Sequence, residues 1–176
     1  MRTKIMDKSA IDRTIKRMAH EIIEQNKGLD KLYLVGIHTR GVPIAKRLSS
    51  YLKEIEKKDI PVGVLDITFY RDDLTRISHQ PVIKSTKIDF DVEESTVILC
   101  DDVLFTGRTV RAAIDAIHDF GRPQSIQLCV LVDRGHRELP IKANYVGKNV
   151  PTSKDEIIEV MLNETDKEEA VYISNR

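Results

Sequence analysis

A chain of 176 residues is long enough for one domain with its own core, and nothing in it forces a second. With 41% apolar and 32% charged residues, no tryptophan and no low-complexity tract, disorder is excluded except in loops and ends. The formal net charge is zero but unevenly spread: residues 1–53 hold 12 Lys and Arg against 5 Asp and Glu, residues 151–176 hold 3 against 7, and a basic face is therefore expected.

Met1-Arg2-Thr3-Lys4-Ile5 lacks an apolar core of signal-peptide length, and no stretch approaches the roughly 20 apolar residues of a membrane helix, so a cytoplasmic protein without a membrane partner is expected. Ile11, Ile15, Met18 and Ile22 recur at helical spacing, which predicts an amphipathic helix capped by Asp7 or Ser9, running to about Asn26 and ended by Gly28. The run Leu32-Tyr33-Leu34-Val35-Gly36-Ile37 reads as a buried strand, and the turn Thr39-Arg40-Gly41 leads into a helix through Ala45, Leu48 and Leu52. Residues 62–69 predict the next strand, and the polar, aperiodic residues 70–87 predict a mobile loop edged by a hairpin.

Thr96-Val97-Ile98-Leu99-Cys100 is a continuous apolar strand, and Val110, Ile114 and Ile117 mark one face of the helix that follows, stopped by Gly121. Residues 125–132 supply another strand. Cys100 and Cys129 each lie inside an apolar run and read as buried small hydrophobes rather than a disulfide. Strands alternating with helices predict an α/β fold with a central parallel sheet flanked by helices, whose ligands bind at the carboxyl ends of the strands. Beyond Asp133, short elements at residues 144–146, 157–162 and 171–173 predict a small cap over that site.

Chemistry concentrates in Val97-Ile98-Leu99-Cys100-Asp101-Asp102-Val103-Leu104-Phe105-Thr106-Gly107-Arg108-Thr109-Val110. Two adjacent acids at the end of a buried strand point to opposite sides, so at least one emerges at the mouth of the sheet, where ribose hydroxyls can be held. Next, Thr106-Gly107-Arg108-Thr109 opens a helix with two hydroxyls, a glycine that permits close approach and several unpaired N–H groups, a start suited to a phosphate dianion. The bland alternative is a turn and a helix capped by the same side chains. Neither G-x-x-x-x-G-K-[ST] nor G-x-G-x-x-G occurs, so the nucleoside triphosphate and dinucleotide signatures are both missing.

On these residues the chain resembles the type I phosphoribosyltransferases, and the run 97–110 looks like their signature for phosphoribosyl pyrophosphate (PRPP). The resemblance implies a single phosphoribosyltransferase domain over 1–176, with a small hood mainly in 133–176. It implies that Asp101 and Asp102 hold the ribose hydroxyls directly or through Mg²⁺-bound water, that Val103, Leu104, Phe105, Thr106, Gly107, Arg108 and Thr109 wrap the 5′-phosphate, and that His38-Thr39-Arg40-Gly41 is the pyrophosphate loop. Arg40 offers a planar cation there and Gly41 starts a helix, which suits an anion; a solvated turn is the alternative. The Thr39–Arg40 peptide is expected to be cis, as similar enzymes suggest. Arg71 resembles the cation of a flexible loop that closes over pyrophosphate, although an exposed loop arginine has the same appearance.

Phe105 stands where the purine-salvage relatives place an acid, and an aromatic ring cannot share a proton with a purine. Together with Gly36-Ile37-His38-Thr39-Arg40-Gly41, Asp66-Ile67-Thr68-Phe69-Tyr70-Arg71-Asp72-Asp73-Leu74, Leu131-Val132-Asp133-Arg134-Gly135-His136-Arg137-Glu138-Leu139-Pro140-Ile141 and Gly147-Lys148-Asn149-Val150-Pro151-Thr152-Ser153, the 97–110 run is similar to that of the bifunctional pyrimidine-operon attenuation regulators that are also uracil phosphoribosyltransferases. That resemblance implies turnover of uracil and PRPP to UMP and pyrophosphate, binding of an mRNA leader promoted by uridine nucleotides, and assembly as a homodimer or homotetramer. Backbone groups near Val132 and Asp133 are expected to read the uracil ring, and Arg134 lies near the base or serves RNA.

An RNA partner has its own support in the residues. Arg13, Lys16, Arg17 and His20 cluster on the helix face opposite Ile11, Ile15, Met18 and Ile22, and a second basic cluster comprises Arg134, His136, Arg137, Lys142 and Lys148. A solvated helix face produces the same pattern. Reversing Arg17 and Arg137 to Glu is expected to abolish RNA binding yet leave uracil turnover. Two other readings stay open, a purine-salvage enzyme and a nucleotide sensor without catalysis.

Overall fold

A strand apolar at nearly every position must be covered on both faces, whereas a helix with one apolar stripe covers only one. The computed structural model, which describes residues 1–72 and 86–176, resolves that requirement as two sheets and their helices. In chain order the elements are β1 (Arg2–Asp7), α1 (Lys8–Asn26), β2 (Leu32–Ile37), α2 (Gly41–Glu56), β3 (Val62–Leu65), a 3-10 turn (Thr68–Tyr70), β4 (Thr96–Leu104), α3 (Arg108–His118), β5 (Ser125–Asp133), β6 (Tyr145–Asn149), β7 (Glu156–Met161), one helical turn α4 (Asn163–Asp166) and β8 (Ala170–Asn175).

Among the described residues the main sheet runs β3-β2-β4-β5-β6, parallel throughout. Alternate residues of its strands enter two cores. Leu34, Ile98 and Cys100 pack with Ile11, Ile15, Met18 and Ile22 of α1 and with Leu48 and Leu52 of α2. Val35, Val97 and Leu99 pack on the other side with Val110, Ala113 and Ile117 of α3. This is the α/β architecture expected, and both cysteines lie buried and free in it. Asp7 caps α1 by accepting the Ala10 amide at 2.8 Å, which settles the choice between Asp7 and Ser9.

The small sheet is antiparallel, in the order β1-β8-β7. It shares the α1 and α2 core through Met6, Ile158, Val160, Leu162 and Val171. Two cap expectations need correction. Of residues 144–146, Tyr145 and Val146 belong to β6, which extends the main sheet alongside β5. The small sheet instead gains β1, whose mostly exposed Arg2-Thr3-Lys4-Ile5 lacks an apolar run and is a strand because β8 supplies its hydrogen-bond partners.

The strand expected at 62–69 stops at Leu65, because Asp66 Oδ1 accepts the Thr68 amide at 2.9 Å and turns the chain into the 3-10 turn. Lys87 pairs antiparallel with Val64. Most of the expected loop and hairpin, residues 73–85, lies outside the described residues. No helix among the described residues is long and apolar enough to cross a membrane.

Candidate active site

The carboxyl end of β4 is longer than its apolar run suggested. Strand pairing with β5 continues to Leu104, so Asp101 and Asp102 are strand residues facing opposite ways. Asp101 is buried and lines a hollow of about 100 Å³ shared with Phe105, Thr106, Gly107 and Thr109. Burial first, then the Asp102 charge, push its carboxyl well above the usual range. Asp102, half-buried, contributes to the field at Arg40 of the neighbouring loop. The acid pair therefore splits between the two turns that border it.

The turn after β2 lies directly on β4. A side-chain carbon at Gly41 would lie 2.2 Å from the Cys100 carbonyl oxygen, so only glycine lets the start of α2 approach this closely. The cis peptide here is His38–Thr39, one bond before the expected Thr39–Arg40. Arg40 already has helical dihedrals, φ −81° and ψ −15°, so the chain turns before it. The Arg40 guanidinium donates from Nε and Nη2 to Asp166, at 3.0 and 2.6 Å.

The turn after β4 relies on its backbone. Gly107 has φ 93° and makes no side-chain cap bond; the Arg108 amide that follows donates to Thr106 Oγ1 at 3.3 Å, and Gly107, Thr109 and Val110 of this helix start line the hollow beside Asp101. Thr106 and Thr109 both line it. The Arg108 side chain is engaged elsewhere: it pairs with Asp72, and its Nε donates to Glu138 at 2.8 Å. Arg71 and Asp72 join Thr106, Arg108 and Thr109 around an adjoining hollow of about 150 Å³.

The segment after β5 forms a wall beside this cradle. The Arg134 amide donates to Leu104 O at 3.1 Å, and its guanidinium stacks 3.9 Å from the Phe105 ring centre while donating to Thr152 Oγ1 and Ser153 O. His136 sets its ring edge-on to Phe105, with Nε2 2.5 Å from Thr152 O. Arg137 donates to Ile141 O and Phe105 O, each at 2.9 Å, and to Asp133 at 2.5 Å. Gly135 and His136 both have positive φ, and across this tight turn Arg134 meets the Phe105 ring and Arg137 the Phe105 carbonyl. Val132 is buried beneath this wall.

The basic residues singled out for RNA divide. Arg13, Lys16, Arg17 and His20 are exposed along α1, and Arg17 reaches across to β6, donating to Gly147 O at 2.6 Å. Gly147 is needed there, because a Cβ would lie 2.7 Å from a Thr14 methyl. Lys148, exposed, follows Gly147 along β6, and Lys142 is exposed just before that strand. Arg134, His136 and Arg137 lie instead in the Phe105 wall.

Sequence reasoning missed Asp166, Asp72 and Glu138, the acids that hold Arg40 and Arg108. The charge asymmetry between the ends of the chain is the signal that points to them. Part of it is internal pairing between the ends of the chain: Arg2 with Glu159, Arg40 with Asp166, and Arg47 with Glu164 and Glu169.

Comparison with known proteins agrees with this geometry. The family model described as phosphoribosyl transferase domain matches residues 1–165. The chain is 61% identical over 172 residues to the Bifunctional protein PyrR of Clostridioides difficile, covering 98% of this chain and 97% of the relative. It is 60% identical over 172 residues to the protein of that name from Pelotomaculum thermopropionicum, covering 98% and 95%. Among solved structures, a hypoxanthine-guanine phosphoribosyltransferase from Bacillus anthracis superposes with a TM-score of 0.73 at 18% identity, over 99% of this chain and 98% of that one, a likeness of fold.

Proposed function

Because the chain belongs to the phosphoribosyl transferase family, within the group of bifunctional PyrR proteins, we propose that it is a uridine-nucleotide-responsive regulator of pyrimidine-operon mRNA attenuation that also converts uracil and PRPP to UMP and pyrophosphate. The observation that carries the reading is one strand end, where Asp101 borders the start of α3 and Asp102 lies in the field of Arg40. Asp101 and Asp102 take the ribose hydroxyls. The 5′-phosphate binds the amides and hydroxyls of residues 103–109, and pyrophosphate binds Thr39, Arg40 and Gly41.

A uracil ring nitrogen, its proton passing to solvent, bonds to the ribose C1 as the C1–oxygen bond to pyrophosphate breaks. Positive charge developing on the sugar is met by the two carboxylates, and negative charge gathering on the leaving group by Arg40 and Arg71. The adjacent carboxylates, one held above its usual range by burial and by the other's charge, are a donor set that a hard cation relieves, so Asp101 and Asp102 fit Mg²⁺ through water or PRPP. Mg²⁺ when bound neutralises pyrophosphate charge. Backbone groups of Val132 and Asp133 read the base, and Phe105, stacked on Arg134, fills the position where a purine enzyme needs an acid.

RNA binds on the α1 face with Arg13, Lys16, Arg17 and His20, continued by Lys148 and Lys142 and bordered by His136 and Arg137. The protein works in the cytoplasm as a homodimer or homotetramer. Incubation with PRPP, Mg²⁺ and uracil, hypoxanthine or guanine should yield UMP alone; turnover of a purine instead would overturn the base assignment. Because Arg137 holds Phe105 and Asp133, its reversal would disturb the base wall. Lys16→Glu with Lys148→Glu is the cleaner probe, expected to weaken leader RNA binding and its salt dependence while uracil turnover persists.

A further inference from the structure

Arg40 does not reach its site as a loose loop side chain. Its Nε and Nη2 meet both oxygens of the Asp166 carboxylate, the paired geometry in which a planar guanidinium is held in orientation as well as in place. Asp166 is itself fixed. Its side chain keeps only 9% exposure, Oδ2 accepts the Leu162 amide at 2.9 Å, and its own amide donates to Leu162 O at 2.7 Å. The acid is thus locked to backbone on one side and presents a flat fork to Arg40 on the other. Both bonds use one edge of the guanidinium, and among the described residues Nη1 makes no hydrogen bond.

We infer that Asp166 is a positioning residue for the pyrophosphate subsite: its carboxylate holds one edge of the Arg40 guanidinium so that the Nη1 edge is presented to the pyrophosphate of PRPP. The inference rests on the assignment of Arg40 to that subsite. Asp166 comes from the small sheet, between β7 and β8, so the hood supplies orientation to a loop of the main sheet. Docking of that segment has a separate source. Arg47 on α2 pairs with Glu164 and Glu169, at 2.6 Å to Glu164, and Glu169 also accepts the Asn163 amide at 3.1 Å. The segment therefore has an anchor that does not touch Arg40, which lets orientation be tested apart from docking.

A carboxylate beside a phosphate-binding arginine also opposes the anion by charge. Orientation prevails in this geometry because the pairing oxygens lie on the guanidinium edge away from Nη1, and an arginine held in one rotamer loses less freedom when the anion arrives. Asp166→Ala, with Asp166→Asn as the milder variant, should weaken binding of inorganic pyrophosphate and lower kcat/KM for PRPP by on the order of tenfold to a hundredfold. UMP affinity, which does not involve Arg40, should stay within about twofold.

In an Arg40→Ala background the Asp166 change should add nothing further. Glu169→Gln should lower the melting temperature and leave pyrophosphate affinity alone. Unchanged or tighter pyrophosphate binding in both Asp166 variants would overturn the inference, as would additive losses in the double variant or a Glu169→Gln protein that reproduces them. A wild-type protein that neither binds pyrophosphate nor forms UMP would instead remove the functional reading beneath it.

Discussion

The turn after β4 offers an anion backbone amides and hydroxyls from a few neighbouring residues, whereas the turn after β2 offers Arg40, whose guanidinium is held by an acid 126 residues away. The first is preorganised by helix geometry and has no rotamer to order. The second has a long flexible side chain and needs a partner to order it. A leaving group carrying most of the negative charge suits a full cation, and a phosphate that stays bound throughout the reaction suits fixed dipoles.

The largest expected effect strikes both turns at once. Asp101 borders the α3 start and Asp102 faces the field of Arg40, so replacing both with Asn should cut UMP formation by about a hundredfold or more, measured as initial rate with PRPP and uracil in excess. The single variants sharpen the comparison. Asp102→Asn should act more on pyrophosphate binding and Asp101→Asn more on UMP binding. Full activity in the double variant would defeat the site.

Glycines separate the turns at the next level of effect. Gly41→Ala places a carbon 2.2 Å from the Cys100 carbonyl, a rigid neighbour, so the loop after β2 must shift and pyrophosphate affinity should fall roughly tenfold with UMP affinity preserved. Gly107→Ala must hold φ 93° with a side chain, and its Cβ would lie 3.3 Å from Ile141; it should cost about 1–3 kcal/mol of stability and weaken UMP instead. Calorimetric titration of both ligands into both variants reads the crossover. Parallel losses would mean that the turns act as one unit.

The contrast also sets what was legible from residues alone. The β4 turn was readable because strand, acids, glycine and helix start are contiguous, so local pattern and tertiary role coincide. The Arg40 turn was placed correctly as a loop after β2, but its orienting partner was not, because no local pattern links residue 40 to residue 166. The same limit applies to β1, a strand only through pairing with β8, and to the short element at residues 144–146, which suggests a cap by itself but whose Tyr145 and Val146 pair with β5 as sheet. The acidic end of the chain announced its charge but not that Arg40 and Arg47 neutralise it.

Acid titration is the smallest effect and the one in which the two regions should differ in sign. The clamp holds carboxyls below their usual range: Asp166 through its bond to Arg40, Glu164 through Arg47, and Glu169 because Arg47 and the Asn163 amide outweigh burial, which alone would raise it. Their stabilisation is fully present above the ordinary carboxylate range, at about pH 4 to 4.5, and is lost as pH falls through the lowered values. Asp101 is raised, so its unfolded form loses a proton first. Its burial therefore destabilises the fold increasingly as pH rises from about 4 toward its folded value. Urea unfolding across this range should show the acid limb shrinking in Asp166→Asn with Glu169→Gln, while Asp101→Asn leaves that limb and flattens the decline above it. If both sets of variants changed the same limb, the turns would share one electrostatic environment and the division drawn between them would fail.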